Sequence, residues 1–259
     1  ALLSIGGNIL EQAQFTEPTE NLFCMRTRFA TATDDVVAVR RAIDEATAQF
    51  APVVTLRHVH DQRRILIMVS KQDHCLVDLL YRRQQGELHV EIPLIVSNHP
   101  DCAPIAQAHG IPYYHLPVTP ETKPQQEQRV RELMAEYSID AVVLARYMQV
   151  LSDEFSAELE GRAINIHHSF LPGFKGARPY HQAYARGVKL IGATAHFVSA
   201  ELDEGPIIEQ DVARVTHSQD AEHLAEIGRD VERMVLARAV QLYGADRVML
   251  TGHRTVIFS

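Results

Sequence analysis

Residues 163–172 of the chain read Ala-Ile-Asn-Ile-His-His-Ser-Phe-Leu-Pro, and this stretch decides the fold class. Its apolar start is typical of a short buried strand. Side chains alternate between the two faces of a strand, so Asn165 and His167 are predicted to point to the same side. Because parallel sheets usually hold ligands at the carboxyl ends of their strands, we expect both side chains at such an edge. Pro172 and Gly173 are predicted to turn the chain away from it.

A carboxylate from further along the chain joins this pair. Asp203 stands in Leu-Asp-Glu-Gly-Pro, after the strand-like residues 193–198, and the fold can bring it to the same edge. Taken singly, Asn165 and His167 fit ordinary buried polar residues better than catalysts. Together, an amide donor, a titratable ring and a carboxylate suffice to polarise a carbonyl group and to move a proton. Asn165, His167 and Asp203 are therefore the candidate catalytic residues.

The composition indicates a compact protein with a small-molecule partner. Its 259 residues, 46% of them hydrophobic, suffice for one large or two smaller domains. A formal net charge of -8 argues against general affinity for nucleic acid or an anionic membrane. No apolar run approaches the roughly 20 residues that span a bilayer, and no signal peptide is evident, so we expect a cytoplasmic location. Cys24, Cys75 and Cys102 lack Cys-x-x-Cys spacing and are expected to be reduced, buried thiols.

From residue 64 to residue 259, strands and helices are predicted to alternate. The strand-like runs are 65–69, 94–96, 113–118, 141–145, 163–166, 191–198 and 206–215. Helical periodicity is clearest at 124–137 and 219–242. This alternation predicts an α/β domain with a Rossmann-like, mostly parallel sheet that helices cover on both faces.

Residues 1–61 follow a different pattern. Alternating runs at 9–15 and 22–29 predict a β-hairpin. Thr33-Asp34-Asp35 offers caps to a helix, and residues 53–59 are predicted to form another strand. The apolar positions of the predicted helix are Val36, Val39, Ile43 and Phe50. The pattern predicts a small, β-rich α+β domain.

Two kinds of binding site find little support in the sequence. The first strand-to-helix turn, Ser70 to Leu76, contains neither G-x-G-x-x-G nor G-x-x-x-x-G-K-[ST], so a dinucleotide or nucleoside triphosphate is not indicated there. His167 and His168 are followed by His181 and His196, which raises the possibility of a metal site. Adjacent histidines on a strand point to opposite sides, however, and no helical histidine pair accompanies them. We predict no metal site.

Several segments of residues 64–259 together resemble the folate-dependent formyltransferase family. They are Asn165-Ile166-His167, Ser169, Leu171-Pro172, Gly176, His181-Gln182-Ala183, 194–198 and 202–208. The resemblance implies that Asn165, His167 and Asp203 form the catalytic trio. It also implies a flat pocket for a pteridine ring between two walls. The implied wall residues are Met148, Gln149, Val150 and Leu151 on one side, and Val198 with the residues up to Asp203 on the other.

Further segments resemble the formyltetrahydrofolate deformylases of that family. They are residues 70–80, 97–99, 176–182 and 228–232. Transferases of this family hold the phosphate of their acceptor in a glycine-containing loop after the first strand, whereas Ser70 to Leu76 has no glycine with which to approach a phosphate. The resemblance implies hydrolysis of 10-formyltetrahydrofolate to formate and tetrahydrofolate, which would supply one-carbon and purine metabolism. Folate is then the substrate, and no cofactor is required.

Residues 1–61 resemble an ACT domain, a ferredoxin-like βαββαβ regulatory module in which a Gly-x-Asn-Ile turn often lies near an amino-acid site. The corresponding turn is Gly6-Gly7-Asn8-Ile9, so Gly7 and Asn8 are candidate effector-binding residues. The resemblance implies glycine or methionine as effector and a homo-oligomer that pairs through these modules. The first strand of the module would precede Gly6, and we therefore expect natural residues ahead of Ala1.

Two alternative functions stay open. A formyltransferase would use the same chemistry with an amine acceptor, and release of formate without any amine would exclude it. A folate or amino-acid sensor would bind without turnover, so that replacing His167 or Asp203 would abolish no reaction. The anionic glutamate tail of folate has two candidate partners, Arg146 and Arg178, and spacing does not choose between them.

Overall fold

A computed structural model describes residues 2–18, 21–171 and 179–258. The chain forms two compact units, Ala1–Gln62 together with Phe258–Ser259, and Arg63–Ile257. Four residues named in the sequence predictions lie outside the described residues: Pro172, Gly173, Gly176 and Arg178.

The first unit is built on a β-hairpin. Strand β1 (Asn8–Glu17) pairs antiparallel with β2 (Leu22–Ala30), which confirms the predicted hairpin. Helix α1 (Val36–Thr47) follows. It begins where the caps predict, because the Asp35 side chain accepts hydrogen bonds from the backbone amides of Val37 and Ala38, both at 3.0 Å.

Two predictions for the first unit are wrong. Residues 53–59 form no strand, and Val53 is fully exposed. A strand needs a neighbour for its backbone hydrogen bonds, and none of the described strands pairs with this segment. Phe50 does not extend the apolar face of α1, because it lies in the 3-10 turn Ala48–Phe50 beyond the helix and is 73% exposed.

A mostly parallel sheet forms the centre of the second unit, as predicted. Its strands are β3 (Arg63–Val69), β4 (Val90–Ser97), β5 (Tyr113–His115), β6 (Ala141–Leu144), β7 (Ala163–His167), β8 (Leu190–Phe197) and β9 (Ile207–Arg214). Their order across the sheet is β5-β4-β3-β6-β7-β8-β9. The strands from β5 to β7 are parallel, whereas β8 and β9 run antiparallel to their neighbours.

Helices cover both faces of this sheet. They are α2 (His74–Gln84), α3 (Ala103–Ala108), α4 (Lys123–Glu136), α5 (Asp153–Glu158), α6 (Pro179–Arg186) and α7 (Ala221–Gly244). Alternate residues of β3 enter two hydrophobic cores: Ile67 faces α2 and α7, and Met68 faces α4 and α5. Burial on both faces explains why the strands read as unbroken apolar runs. Among the described helices, none has the length and apolar character that crossing a membrane requires.

Two details of the second unit differ from the predictions. A C-terminal hairpin of β10 (Val248–Thr251) and β11 (Arg254–Ile257) has no counterpart among them. Strand β5 ends at His115 and does not reach residue 118. Pro117 has no amide hydrogen to continue a ladder, which accounts for the earlier end.

The second core gives a first test of this packing. Leu133 of α4 is fully buried, so Leu133→Ala should lower the free energy of unfolding by about 2–5 kcal/mol through lost burial and the cavity left behind. Leu190→Ala, at a half-exposed position on β8, is the matched control and should change it by less than about 0.5 kcal/mol. Urea unfolding measures both values. Equal losses for the two variants would contradict the assignment of Leu133 to the core.

Candidate active site

Asn165 and His196 form the first contact of the candidate site. They lie directly opposite each other in the antiparallel pair of β7 and β8, and Asn165 Nδ2 is 3.2 Å from His196 Nε2. The other ring nitrogen, His196 Nδ1, lies 2.8 Å from the carbonyl oxygen of Phe197. A carbonyl oxygen only accepts, so Nδ1 carries the hydrogen and Nε2 accepts from the amide. Burial lowers the pKa of His196, in agreement with this neutral ring. His196 therefore fixes the orientation of the Asn165 amide.

Asp203 connects the two histidines of the site. Its Oδ2 atom lies 3.2 Å from His167 Nδ1, and its Oδ1 atom lies 3.8 Å from His196 Nε2. Burial by itself would raise the pKa of Asp203, but the hydrogen bond from His167 and the histidine charges outweigh it and hold that pKa below its usual value. The structure thus brings Asn165, His167 and Asp203 together, with His196 between the amide and the carboxylate.

A close backbone approach places Asp203 over β7 and β8. The amide of Phe197 donates to the carbonyl oxygen of Pro206 at 2.8 Å, so the chain returns towards β8 after the loop. A Cβ atom on Gly205 would lie 1.7 Å from the carbonyl oxygen of Phe197. Glycine is required there because no side chain fits. Asp203 itself has a left-handed backbone with φ of 59°.

His167 keeps one ring nitrogen available. Its Nε2 atom is buried and has no hydrogen-bond partner among the described residues. An unpaired buried polar atom costs roughly 1–3 kcal/mol, and such atoms in folded proteins call for a specific explanation. A ligand atom bound beside Nε2 would supply the partner.

His168 lies against the catalytic candidate. Its ring stacks on that of His167, with centroids 5.0 Å apart and an interplanar angle of 25°. The prediction that the two rings point to opposite sides is wrong, because β7 ends at His167 and strand alternation ends with it. Burial, followed by the charges of Arg146 and His167, lowers the pKa of His168 to about 4. The ring is therefore neutral at neutral pH.

The predicted pteridine walls lie in different environments. Met148 and Val150, just after β6, are 56% and 59% exposed and can contact a flat ligand. Gln149 between them is half-buried. Leu151 is buried and packs in the core of α4 and α5, and Val198 packs partly against the same core. Leu151 is thus a core residue, and Val198 is half-buried.

Side chains at the ends of β3 and β4 fix the start of this segment. The Met148 amide donates to Ser70 Oγ at 2.9 Å, and Ser70 Oγ donates to Asn98 Oδ1 at 2.7 Å. Ser70 and Asn98 stand in segments that resemble the family, but no role was predicted for either. Their contact could not be inferred from spacing, because it depends on the order of the strands in the sheet.

Thr194 and Gln210 are further residues without a predicted role. Thr194 Oγ1 donates to the carbonyl oxygen of Ser169 at 3.0 Å and accepts from the amide of Leu171 at 3.1 Å. Gln210 Nε2 donates to Thr194 Oγ1 at 2.9 Å. They hold the chain that leaves β7. Thr194 lies in a segment that resembles the family, whereas nothing in the sequence singles out Gln210.

Arg146 is engaged by other protein side chains. Its Nε atom donates to Gln72 Oε1 at 2.9 Å and lies 3.3 Å from Glu232 Oε2, and the side chain is 8% exposed. A buried, paired guanidinium is poorly suited to the mobile tail of a ligand.

Among the described residues, His74, Cys75 and Glu232 are the three potential metal ligands that lie within reach of one ion.

The candidate effector residues belong to the first unit. Gly7 and Asn8 stand at the start of β1, where the Gly7 amide donates to the carbonyl oxygen of Leu2 at 2.7 Å. The side chain of Asn8 is exposed. Their role in binding an amino acid stays a prediction.

Comparison with known proteins decides the family. Residues 63–240 match the family model described as Formyl transferase. The formyltetrahydrofolate deformylase of Synechocystis sp. is 48% identical over 257 residues, which cover 98% of this chain and 89% of that protein. The crystal structure of the formyltetrahydrofolate deformylase from Burkholderia mallei, 52% identical, has a TM-score of 0.96 and covers 100% of this chain and 92% of its own. The chain belongs to the formyltetrahydrofolate deformylases of the formyl transferase family.

The formyl transferase fold of this deformylase family is shared with enzymes named as transferases. The structure of glycinamide ribonucleotide transformylase 1 from Symbiobacterium toebii is 27% identical, with a TM-score of 0.72. It covers 81% of this chain and 100% of its own chain. The common fold places the same sheet beneath both kinds of enzyme.

The lowered pKa of Asp203 makes folding sensitive to acid. A carboxyl group with a pKa below its usual value of about 3.9 stabilises the folded state above that pH, and this contribution is lost as the pH falls through the folded-state pKa. Asp203→Asn should therefore lose stability less steeply than the unchanged protein below about pH 4. Urea unfolding over a pH series measures the difference, with the exposed Asp101→Asn as control. Parallel curves for the unchanged protein and Asp203→Asn would contradict the prediction.

Proposed function

We propose that the protein hydrolyses 10-formyltetrahydrofolate to formate and tetrahydrofolate. The observation that carries the proposal is one arrangement on β7. Asp203 Oδ2 lies 3.2 Å from Nδ1 of His167, Nε2 of the same ring is buried without a partner among the described residues, and Asn165 precedes His167 by two residues on the strand. The identity of the substrate is inferred from the family, whose members are named formyltetrahydrofolate deformylases. The products would serve one-carbon and purine metabolism, and the folate substrate would need no further cofactor.

Asn165 and His167 are proposed to stabilise the oxyanion. When water adds to the formyl carbon, negative charge develops on the formyl oxygen and needs donors already in place. One hydrogen of Asn165 Nδ2 is directed to His196 Nε2, which leaves the second for this oxygen. Protonated His167 would donate from Nε2, the atom that has no partner among the described residues.

Asp203 is proposed to position the ring and to take up a proton. Its carboxylate lies against His167 Nδ1, so it neutralises the imidazolium and fixes the direction of Nε2. The attacking water gives a proton to the carboxylate, directly or through a second water. The tetrahedral intermediate then collapses: the bond from carbon to N10 breaks, N10 takes a proton from His167 or water, and formate leaves. No covalent enzyme intermediate is required.

The pteridine ring is proposed to bind between the segment after β6 and the loop after β8. Met148 and Val150 offer exposed apolar surface, and Gln149 between them can read polar ring edges. Leu151 and Val198 support the two walls. Ser70 fixes the first wall through the Met148 amide.

Regulation by an amino acid is proposed for the first unit. Residues 1–61 would act as an ACT-like domain, with glycine or methionine bound near Gly7 and Asn8. Such modules commonly pair, so we propose a homo-oligomer that works in the cytoplasm. The hairpin of β1 and β2 supports the α+β part of this proposal.

Removal of the amide donor tests the proposed chemistry. Asn165→Ala should lower kcat for formate release by about 10²–10³, the usual cost of one oxyanion donor. Formate is measured at its end point from 10-formyltetrahydrofolate, without any amine. His115→Ala, an exposed change at the end of β5, is the control and should retain full activity.

Two results would refute the function. Tetrahydrofolate that forms only when an amine is present, with a formylated amine in place of formate, would identify a transferase. A complete lack of turnover with tight folate binding would identify a sensor. Unchanged formate release in both His167→Ala and Asp203→Ala would leave the function standing and remove the proposed trio from the chemistry.

The effector proposal has its own measurement. Isothermal titration of glycine and of methionine into the full chain should show saturable binding of one of them, because an ACT-like turn presents backbone amides to an amino acid. Asn8→Ala should weaken that binding, whereas Asn165→Ala should leave it unchanged. Absence of binding for both amino acids would refute the proposal.

A further inference from the structure

A second group of polar residues, with Arg146 and Glu232 buried at its centre, lies near the candidate site. Here it is called the Glu232 network, and its members are Gln72, His74, Arg146, Tyr180 and Glu232. Gln72 and His74 follow strand β3, and Arg146 follows β6. The amide of Ser70 donates to the carbonyl oxygen of Arg146 at 3.3 Å, which ties the two strand ends together. The network thus occupies the carboxyl edge of the sheet, where α/β proteins usually bind ligands.

The carboxylate of Glu232 is satisfied entirely by protein groups. It is 1% exposed, and it accepts from the Tyr180 hydroxyl at 2.6 Å, pairs with His74 Nε2 at 2.7 Å and lies 3.3 Å from Arg146 Nε. Burial would raise its pKa, but the His74 hydrogen bond, the Arg146 charge and the Tyr180 hydrogen bond keep the pKa below its usual value. An ionised carboxylate is therefore held in the interior with its partners already in place.

The aromatic member of the network fits closely against a helix. Gly228 lies four residues before Glu232 on α7, and a Cβ atom there would come within 2.1 Å of the Tyr180 ring. Tyr180 therefore occupies space that a side chain at position 228 would need. This contact keeps the phenol directed at Glu232.

The network borders the reacting groups on one side. Strand β6 pairs with β7 such that Leu144 lies beside Asn165, so Arg146 follows next to the end of β7. There His168 stacks on His167. Asp203 approaches His167 from the side of β8. Leu151 and Val198 of the proposed folate walls pack with the core of α4 and α5, whereas Glu232 lies on α7, which covers the other face of the sheet.

We propose that the Glu232 network fills the position that an acceptor substrate would need, and thereby restricts the acceptor to water. The inference rests on the proposed hydrolysis. With an amine, nitrogen would attack the formyl carbon, the bond to N10 would break, and a proton would pass from the amine to N10, giving a formamide and tetrahydrofolate. Water follows the same course to formate, but it needs far less space at the strand ends.

Polar groups that bind each other are also poor partners for an incoming ligand. Glu232, Arg146 and Tyr180 have the chemistry to bind an amine, a hydroxyl or an anion. In this structure their hydrogen bonds are made within the network, so an acceptor would have to break these bonds before it could bind. The space that the network fills and the hydrogen bonds within it therefore both disfavour binding of an acceptor larger than water.

Variants that open the network test this inference. His74→Ala removes an imidazole and leaves Glu232 with Arg146 and Tyr180, and Tyr180→Ala opens the same region from another helix. Tyr180→Phe is the matched control, because it removes a hydrogen bond but creates little space. Each protein receives 10-formyltetrahydrofolate together with glycinamide, an amine without a phosphate, and mass spectrometry measures N-formylglycinamide and formate.

The expected result is a change in the product ratio. In His74→Ala and Tyr180→Ala the ratio of N-formylglycinamide to formate should be at least about tenfold higher than in the unchanged protein. A tenfold change is the lower end of the discrimination that enzymes achieve when a pocket has too little space for one extra methylene group. Tyr180→Phe should keep the original ratio. A network with a stabilising role only would lower the unfolding temperature of all three variants and leave the product ratio unchanged.

The outcomes separate this inference from the proposed function. If the unchanged protein releases no formate without amine, the proposed function fails. The second outcome starts from an unchanged protein that does release formate. If His74→Ala or Tyr180→Ala still hydrolyses the folate but forms no more N-formylglycinamide than Tyr180→Phe, the inference is wrong and the proposed function stands. The inference would also be wrong if the unchanged protein already gave the same ratio of N-formylglycinamide to formate as the opened variants.

Discussion

The contact between Asp203 and His167 is the interaction on which the rest of the site depends. It joins a residue of a returning loop to the last residue of β7 at 3.2 Å. The loop reaches this position because Gly205 passes close to the backbone of Phe197, where a larger residue would clash. The carboxylate then fixes one nitrogen of the ring, and the other nitrogen stays available for a substrate. Sheet, loop and glycine together therefore position a single imidazole.

Two groups of polar residues lie near the ends of β3, β6 and β7, and they differ in one respect. The Glu232 network satisfies its charges internally, with carboxylate, guanidinium, phenol and imidazole bonded to one another. The catalytic group leaves His167 Nε2 without a partner among the described residues. A buried polar atom without a partner lowers the stability of the folded protein. A bound ligand that forms a hydrogen bond with His167 Nε2 would recover this free energy. This difference in hydrogen bonding distinguishes the proposed catalytic residues from the Glu232 network.

Much of the second unit could be predicted from sequence, and the first unit less so. Strands β3, β4, β6 and β7 are buried on both faces and read as apolar runs, so composition and periodicity identify them. The segment at 53–59 has the same local character but finds no neighbouring strand among the described residues. Local pattern sets the propensity to extend, whereas pairing depends on residues distant in the chain. The C-terminal hairpin was not predicted because each of its strands has only four residues, too few to show a clear alternation.

Sequence alone was enough to predict the residue types of the candidate site and the family of the chain. Asn165 and His167 share a strand, and alternation alone places them on one face. The tertiary structure was needed to show that His196 orients the amide, that His168 stacks on His167, and that Arg146 is held by Glu232. The first and the last of these contacts join β7 to β8 and the end of β6 to α7 across large separations in sequence. Side-chain partners of this kind are set by strand order and loop closure, which no local pattern encodes.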